Sequence, residues 1–215
     1  MRKNFEQELE DLNQDVLKMG SIVEQTIYKA ITSLVERDVN LAEEVVSNDD
    51  QVDDYQDKIE QECIKLMALQ QPVAKDLRRI DMISKLVSDL ERIADLSQNI
   101  AKFTCRFKDE ELVKPLVDIP RMAEIVQGMI RDSLEAFINS DVELAKEVAK
   151  KDDEVDKLDN QIFRELLTYM MEDHRMIRQG NKLMFVSRYI ERMGDHVTNI
   201  CERIIYIITA DRVNY

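Results

Sequence analysis

The amino-acid sequence predicts an all-α protein made of two tandem three-helix bundles. Its 215 residues include only 4 Gly and 3 Pro, which favours long helices with few connections over a sheet that needs many turns. Apolar residues recur at three- and four-residue steps along most of the chain, as they do in amphipathic helices. The pattern of the first half then returns in the second half, which indicates an internal duplication.

Three helices are predicted in the first half. The first covers about residues 4–36, where Leu, Val, Met and Ile follow one another at helical spacing. Asp38 is a favourable N-cap for the second helix, because its side chain can accept hydrogen bonds from free backbone N–H groups. This second helix continues to about Leu66. Pro72 separates it from a third helix, whose apolar stripe extends over residues 83–100.

The second half repeats this order. Two prolines bracket the connection between the third and fourth helices. The fourth helix carries an apolar stripe over residues 125–137. Asp141 is the predicted N-cap of a fifth helix that ends near Glu172, and a sixth helix covers about residues 176–209.

The duplication can be read directly from the sequence. The segment DVNLAEEVVSNDDQVDDY from Asp38 aligns with DVELAKEVAKKDDEVDKL from Asp141, an offset of 103 residues. In the third helix of each half, LERIADLSQNI aligns with IERMGDHVTNI at an offset of 100 residues. We therefore predict two repeats, residues 1–109 and residues 110–215.

The charge and hydropathy of the chain argue against several classes of function. A formal net charge of −14 repels a phosphate backbone, so we do not expect nucleic-acid binding, whereas cations or a basic protein surface suit it. No apolar run approaches the roughly 20 residues of a membrane span, and the first residues lack a signal-peptide core. We therefore expect a cytoplasmic protein without direct membrane insertion. Cys63, Cys105 and Cys201 are expected to be small core residues in a reducing compartment.

Polar residues also recur, which a duplicated core alone does not require. Glu91, Asp95 and Asn99 lie in the third helix, and Glu191 and Asp195, again followed by Asn, lie in the sixth. At about 100° per residue, their four-residue spacing keeps the side chains on one side of a helix. A helical projection places both rows away from the apolar stripe, so we expect them to be exposed.

A second acidic cluster lies near the middle of the second predicted helix of each half. Its members are Asp49, Asp50 and Asp53 in the first half and Asp152, Asp153 and Asp156 in the second. Like charges four residues apart destabilise a helix by roughly 0.2–0.5 kcal/mol per pair, so their repetition suggests a function. Carboxylates from two adjacent helices can share one or several metal ions. The structural alternative is a solvated acidic face with Arg92 and Arg192 as counter-ions.

Enzyme chemistry finds little support in the sequence. The chain has two histidines, His174 and His196, and neither follows a Glu by three residues as in ferritin-like oxidases. We expect His174 to be a solvated loop residue, and His196 to be either an extra ligand or a partly buried polar residue. No phosphate-binding loop, dinucleotide motif or activated nucleophile is present in the sequence. Tyr55, Phe163 and Tyr169 fall within helical stripes and are expected in the core.

Three segments closely resemble the PhoU family of bacterial phosphate-uptake regulators. They are QQPVAKDLRRI (Gln70 to Ile80), DLERIADLSQNI and YIERMGDHVTNI, and the resemblance covers essentially the whole chain. It implies two tandem three-helix bundles related by pseudo-two-fold symmetry, and acidic motifs that bind iron or zinc clusters in some members. The motif positions implied here are Glu91, Asp95, Glu191 and Asp195, with Asp49, Asp53, Asp152 and Asp156 opposite them. Because Gly194 and His196 are replaced by Ala94 and Leu96 in the first copy, identical metal occupancy of the two sites is not implied.

The resemblance also implies a function. Similar proteins repress the phosphate-starvation response and restrain phosphate import, acting between the ATPase subunit of the phosphate ABC transporter and a membrane sensor histidine kinase. Homodimers or larger homo-oligomers are common among them. The alternative from another class is a carboxylate-bridged metal enzyme or a metal store, which would use the same acidic residues.

Overall fold

The structure, a computed structural model, describes residues 2–48, 50–106, 112, 114–213 and 215, with side chains from residue 5 onward. These residues form seven α-helices, one 3₁₀ turn and no β-strand. The helices are α1 (Arg2–Glu36), α2 (Val39–Ser47), α3 (Asp50–Gln70), α4 (Ala74–Arg106), α5 (Asp118–Asn139), α6 (Val142–Glu172) and α7 (Ile177–Thr209), with the 3₁₀ turn (His174–Met176) before α7. The predicted fold class is confirmed.

Four long helices form the centre of the molecule. Helix α1 packs on α4 and α5, and α7 packs on α4 and α5, so the first and last helices of each repeat meet their counterparts. Helices α2 and α3 cover α1 and α4, whereas α6 covers α5 and α7. The buried apolar residues of both repeats belong to one hydrophobic cluster. Each fully buried aliphatic side chain stabilises the fold by about 1.5–3 kcal/mol, so the two repeats stabilise each other.

The turn before the second helix has the same geometry in both repeats. Arg37 and Ser140, which occupy equivalent positions, adopt left-handed φ angles of 59° and 53°. The side chains of Asp38 and Asp141 then accept hydrogen bonds from backbone N–H groups in the first turns of α2 and α6. Both N-cap predictions are confirmed, and the duplication extends to the local backbone conformation.

The predicted second helix is divided in two, which corrects the expectation of six helices. Helix α2 ends at Ser47 with Asn48 as its C-cap, and α3 begins at Asp50. In the second repeat, two lysines, at 150 and 151, occupy the positions of Ser47 and Asn48, and α6 continues through them. Ser and Asn hydrogen-bond locally and are poorer helix formers than Lys, which explains why only the first repeat is interrupted here.

The interface between α4 and α7 differs between its two symmetry-related ends. At one end, Asp89 is 6% exposed, and its Oδ2 accepts a hydrogen bond of 2.7 Å from Arg203 Nε. At the other end, the equivalent positions hold Tyr189 and Phe103, whose ring centroids are 6.1 Å apart. An ion pair thus joins the repeats at one end of the interface, and an aromatic pair joins them at the other.

The link between the repeats runs from Arg106 at the end of α4 to Asp118 at the start of α5. The predicted boundary between residues 109 and 110 lies outside the described residues and stays a prediction.

The cysteines occupy packed positions. Cys63 and Cys201 are buried, and burial raises the pKa of each thiol to about 12, so neither provides a reactive thiolate near neutral pH. Cys105 is partly buried against the hydrophobic cluster, and all three are free. The prediction that they are small core residues is confirmed for Cys63 and Cys201.

Candidate functional site

Five carboxylates meet in a groove between α6 and α7. Its members, which define the α6–α7 groove, are Asp152, Asp156 and Asp159 on α6 and Glu191 and Asp195 on α7. The two helices are antiparallel neighbours, so spacings of three or four residues on each helix place these carboxylates opposite one another. The structure therefore brings together the four residues that the family resemblance implies for the second repeat, and it adds Asp159. Asp153, the third member of the acidic cluster on α6, is exposed.

Glu191 is the most buried member of this groove. Its exposed fraction is 6%, and its Oε1 accepts a hydrogen bond of 2.5 Å from Arg188 Nη1. Its Oε2 has no hydrogen-bond partner among the described residues. Burial and then the charge of Asp195 raise the pKa of Glu191 to about 7, although Arg188 opposes the shift. The prediction that this row is exposed is therefore wrong for Glu191, because α6 covers the side chain.

Asp152 lies against the backbone of α7. A Cβ atom at position 194 would collide with Asp152 Oδ1, so Gly194 provides the space for this carboxylate. Asp152 Oδ1 and Thr198 Oγ1 are both buried, and neither has a hydrogen bond of good geometry to another described residue. The Thr198 hydroxyl nevertheless lies close enough to the Asp152 carboxylate to lower its pKa. Burial, followed by the charges of Asp195 and Asp156, raises the pKa of Asp152 to about 6.

Asp156 and Asp195 form the exposed rim of the groove. The pKa of Asp195 is raised by partial burial first and by the charge of Asp156 second. The mutual repulsion of these groups means that the groove favours a bound proton or a cation over a full set of negative charges.

Two residues of the groove were not identified from the sequence. Asp159 Oδ1 accepts a hydrogen bond of 2.5 Å from the Ser187 hydroxyl, and Arg188 Nη1 lies 3.8 Å from Asp159 Oδ2. Neither belongs to the repeated motif, because Asp159 aligns with Gln56 and Arg188 aligns with Ser88. The available signal was their three-residue spacing from Asp156 and Glu191 on the same helix faces.

The first repeat carries a corresponding α3–α4 groove, which we define by Asp53, Gln56, Glu91 and Asp95. Burial and then Asp95 raise the pKa of Glu91, and Arg92 opposes the shift. Arg92 also contacts both carboxylates, with Nε 3.4 Å from Glu91 Oε2 and Nη1 3.2 Å from Asp95 Oδ2. The counter-ion role considered for Arg92 is thus present here.

Asp53, a predicted metal ligand on α3, lies on the exposed side of this groove. Modest burial and then the charge of Asp95 raise its pKa, which places Asp53 beside α4 as the sequence suggested. Asp49, the remaining predicted ligand, lies outside the described residues, and its predicted role is untested.

The grooves are rich in hard ligands. Carboxylate and hydroxyl oxygens suit divalent cations, and the three unpartnered oxygens of the α6–α7 groove belong to Asp152, Glu191 and Thr198. Within the described part of the chain, no group of three or more His, Cys, Asp or Glu side chains already has the arrangement of a metal site. Metal binding therefore remains a prediction, which the unpartnered oxygens favour in the second repeat.

His196 faces away from the groove. Its Nδ1 lies 3.0 Å from Asp89 Oδ1 on α4, so it shares the interface carboxylate with Arg203. His196 was expected to be either an extra ligand or a partly buried polar residue, and in the structure it is a partly buried polar residue. His174 is exposed at the start of the 3₁₀ turn, as expected.

Aromatic side chains line the continuation of the α6–α7 groove. Phe163 and Phe185 are each 50% exposed, and with Met184 they line a cavity of about 280 Å³. The prediction that Phe163 lies in the core is wrong, because the side chain projects along the outer face of α6. Tyr169 is also 36% exposed, which corrects its predicted core position, whereas Tyr55 packs partly buried against the core.

Sequence comparisons identify relatives over nearly the whole chain. A family model described as "PhoU domain" matches residues 16–104 and 119–204. A protein of Clostridium acetobutylicum named phosphate-specific transport system accessory protein PhoU homolog is 44% identical over 99% of this chain and 98% of its own length. The Escherichia coli K12 accessory protein PhoU is 36% identical over 95% of this chain and 85% of its own length. The two matched segments fall within the two predicted repeats.

Solved structures have the same fold. The crystal structure of PhoU from Pseudomonas aeruginosa superimposes with a TM-score of 0.92 at 38% identity, covering 96% of this chain and 100% of that one. The phosphate transport system regulatory protein PhoU from Streptococcus pneumoniae gives a TM-score of 0.91 at 31% identity, covering 98% of this chain and 100% of that one.

Proposed function

The chain belongs to the PhoU family, and from this premise we propose that it is a cytoplasmic negative regulator of phosphate uptake and of the phosphate-starvation response. The observation that carries the proposal is similarity along both repeats to proteins named accessory or regulatory components of phosphate-specific transport. No helix among the described residues is long and apolar enough to cross a membrane. Regulation of a transporter would then depend on contacts with other proteins.

The proposed partners are the ATPase subunit of the phosphate ABC transporter and a sensor histidine kinase. A net charge of −14 favours basic protein surfaces as partners and disfavours nucleic acid. The two acidic grooves, on α3–α4 and on α6–α7, give each repeat one negatively charged surface to which a basic partner surface could bind. A homodimer or a larger homo-oligomer is also proposed, and it would multiply these surfaces.

Divalent metal ions, with iron or zinc as the first candidates, are proposed ligands of the grooves. In the second repeat, Glu191, Asp195, Asp152 and Asp156 would supply carboxylate oxygens, and Thr198 would supply a hydroxyl oxygen. The buried oxygens without partners support this choice, because a cation would replace their missing hydrogen bonds and reduce the repulsion among the carboxylates. In the first repeat, Glu91, Asp95, Asp53 and Asp49 are the proposed ligands. A bound cation would fix the shape and charge of each groove.

A carboxylate-bridged metal enzyme or a metal store is the second candidate. The richness of the α6–α7 groove in unpartnered oxygens favours metal binding in either case. The relatives are named as accessory and regulatory proteins, which favours regulation over turnover. Metal analysis of the purified protein followed by a turnover assay with dioxygen separates the two: metal without turnover supports the regulator, and metal-dependent turnover supports the enzyme.

Partner capture tests the proposed function. The tagged chain is incubated with cytoplasm and detergent-solubilised membranes of phosphate-replete cells, and the eluate is analysed by mass spectrometry. We expect enrichment of the transporter ATPase or the sensor kinase over a control bait of equal size and charge. In parallel, deletion of the gene should activate a phosphate-starvation reporter in phosphate-replete medium. A silent reporter together with neither protein in the eluate would contradict the proposal.

Metal titration tests the proposed ligands. Zinc and ferrous iron are titrated under anaerobic conditions into the wild-type chain, into Glu191→Gln/Asp195→Asn and into the matched first-repeat variant Glu91→Gln/Asp95→Asn. Each variant keeps the shape of the side chains and removes two charges. We expect each pair of substitutions to abolish binding at its own groove and to leave the other groove intact. Equal metal content in all three proteins would show that these carboxylates are not metal ligands.

A further inference from the structure

The α6–α7 groove has an apolar end as well as an acidic end. Phe163 on α6 and Met184 and Phe185 on α7 line its cavity of about 280 Å³, and we call these three residues the aromatic pocket. Asp159 and Arg188 form the boundary between the pocket and the acidic end. Phe163 and Phe185 are each half-exposed and line the same cavity, so together they form an apolar patch at this end of the groove.

The scaffold itself does not require this pocket. At the equivalent positions of the first repeat stand Glu60, Ser84 and Lys85, which are all polar. The helices that carry them pack in the same way, with α3 on α4 as α6 packs on α7. A polar surface is therefore compatible with the fold at this location. The exposed aromatic residues of the second repeat need an explanation other than packing within the chain.

The pocket and the acidic end lie in one line along α6. Phe163, Asp159 and Asp156 are spaced by four and three residues, so they lie on one face of the helix. At a rise of 1.5 Å per residue, the seven residues from Phe163 to Asp156 span about 10.5 Å. A helix of another protein that lay along the groove would cover the same distance with two of its residues, at positions i and i+7.

We propose that the aromatic pocket and the adjoining carboxylates together bind an amphipathic helix of a partner protein. This helix places an apolar side chain between Phe163, Met184 and Phe185, and it places a Lys or Arg seven residues away against Asp156 and Asp159. The inference rests on the proposed function in that it identifies which of the two grooves a partner of the regulator uses. The first repeat lacks the apolar half of this surface.

Charge identifies the occupant as a basic helix of another protein. Asp156 and Asp195 are exposed and make the rim negative, and Arg192 offsets only part of the charge of Asp195. The Arg188 side chain is 58% exposed, but it is paired with Glu191 at 2.5 Å and lies 3.8 Å from Asp159. A second copy of this chain carries the same net charge of −14 and would bring acidic faces together. A basic amphipathic helix is stabilised at both ends of the groove: its apolar side chain is buried at the aromatic end, and its positive charge lies against carboxylates at the acidic end.

The experiment uses three synthetic helical peptides of 18 residues with fluorescent labels. The first carries Leu at position i and Lys at position i+7, the second replaces this Lys by Glu, and the third replaces the Leu by Ser. Binding to the full chain is measured by fluorescence anisotropy at 150 mM salt, with a chelator present so that metal does not compete. We expect the first peptide to bind at least tenfold more tightly than either of the others.

The chain provides its own control variants. Phe163→Glu/Phe185→Lys gives the second repeat the residues of the first, and we expect it to weaken binding of the first peptide at least tenfold. Phe163→Leu/Phe185→Leu keeps the pocket apolar and should keep binding within about threefold. The reciprocal variant Glu60→Phe/Lys85→Phe, made in the Phe163→Glu/Phe185→Lys background, should restore part of the binding. Helical content and Tm are measured for each protein, and all these positions are at least partly exposed.

The outcomes separate this inference from the proposed function. Unchanged peptide affinity in the Phe163→Glu/Phe185→Lys variant overturns the inference, even if the transporter ATPase or the kinase is still captured. A shift from oligomer to monomer in this variant, without any peptide binding to the wild-type chain, shows that a second copy occupies the pocket and also overturns it. Pocket-dependent peptide binding supports the inference even if the chain captures neither phosphate-related protein and its deletion leaves the reporter silent, which together contradict the proposed function.

Discussion

The two repeats share a scaffold but differ in how their acidic grooves are balanced. In the α3–α4 groove, Arg92 lies within 3.4 Å of Glu91 and within 3.2 Å of Asp95, so both carboxylates have a counter-ion. In the α6–α7 groove, Glu191 is only 6% exposed, and one of its oxygens has no partner in the part of the chain that the structure describes. Both motifs therefore have an arginine counter-ion, since Arg188 lies 2.5 Å from Glu191. They differ in that Glu191 is more deeply buried than Glu91 and has one oxygen without a partner among the described residues.

This difference shows that the residues around a repeated motif determine how deeply its carboxylates are buried and how far their pKa values shift. Gly194 lets the Asp152 carboxylate approach the backbone of α7, whereas Ala94 stands at the equivalent position of the first repeat. Arg188 replaces Ser88 and binds one oxygen of Glu191, leaving the other oxygen buried. A few substitutions therefore change burial and pKa without changing the motif itself.

The largest effect is expected at the unequal ends of the α4–α7 interface. Asp89→Ala leaves the partly exposed Arg203 guanidinium and His196 without their carboxylate, so we expect a loss of about 1.5–3 kcal/mol in the free energy of unfolding. Tyr189→Phe, at the equivalent position, keeps its ring contact with Phe103 and should cost less than about 0.5 kcal/mol. Urea denaturation at pH 7 measures both. Equal losses would mean that the Asp89 ion pair contributes no more to stability than the Tyr189 hydroxyl group.

The pH dependence of stability should distinguish the two glutamates of the motif. Folding raises the pKa of Glu191 to about 7, so the stability from its protonated form is present below the unfolded pKa near 4.5 and is lost as pH rises through 7. Glu191→Gln removes this loss, and without metal it should be more stable than wild type at pH 8 by about 1–3 kcal/mol. Glu91→Gln should gain less stability, because the Glu91 side chain is less deeply buried than that of Glu191. Thermal unfolding from pH 4 to pH 8 measures this difference, and parallel curves for wild type and Glu191→Gln would contradict it.

The break between α2 and α3 should depend on local sequence. Ser47→Lys/Asn48→Lys gives the first repeat the residues of the second, and the higher helix propensity of Lys should stabilise the chain by about 0.5–1 kcal/mol. Amide hydrogen exchange should slow across residues 47–51. The reverse change, Lys150→Ser/Lys151→Asn, should destabilise by a similar amount. If both variants leave exchange unaltered, the tertiary contacts of this segment set the break.

The smallest change in stability is expected at Gly194. Gly194→Ala places a Cβ atom where Asp152 Oδ1 lies, and the flexible carboxylate should move toward solvent. The pKa of Asp152 should then fall from about 6 toward 3.8, while the free energy of unfolding changes by less than about 1 kcal/mol. An NMR titration of the carboxyl carbon measures the pKa. The control Ala94→Gly should leave the pKa of Asp152 unchanged, and an unshifted Asp152 in Gly194→Ala would show that the close approach is not its cause.

Much of the fold could be predicted because it depends on local patterns. Helical periodicity located the long helices, Asp38 and Asp141 identified two of their starts, and the offset of 103 residues revealed the repeat. Of the acidic site, the sequence identified the residue types and the helix faces. It did not identify Asp159 or Arg188, since neither is repeated.

The sequence by itself determined the helices, their duplication and the acidic faces, because these features depend on residues three, four or about one hundred positions apart in one chain. Only the tertiary structure decided that Glu191 is buried, that His196 faces Asp89 and that Phe163 is exposed. Burial and pairing depend on which helices meet and how closely their backbones approach. A helical projection of a single element contains no information about the neighbour that covers it.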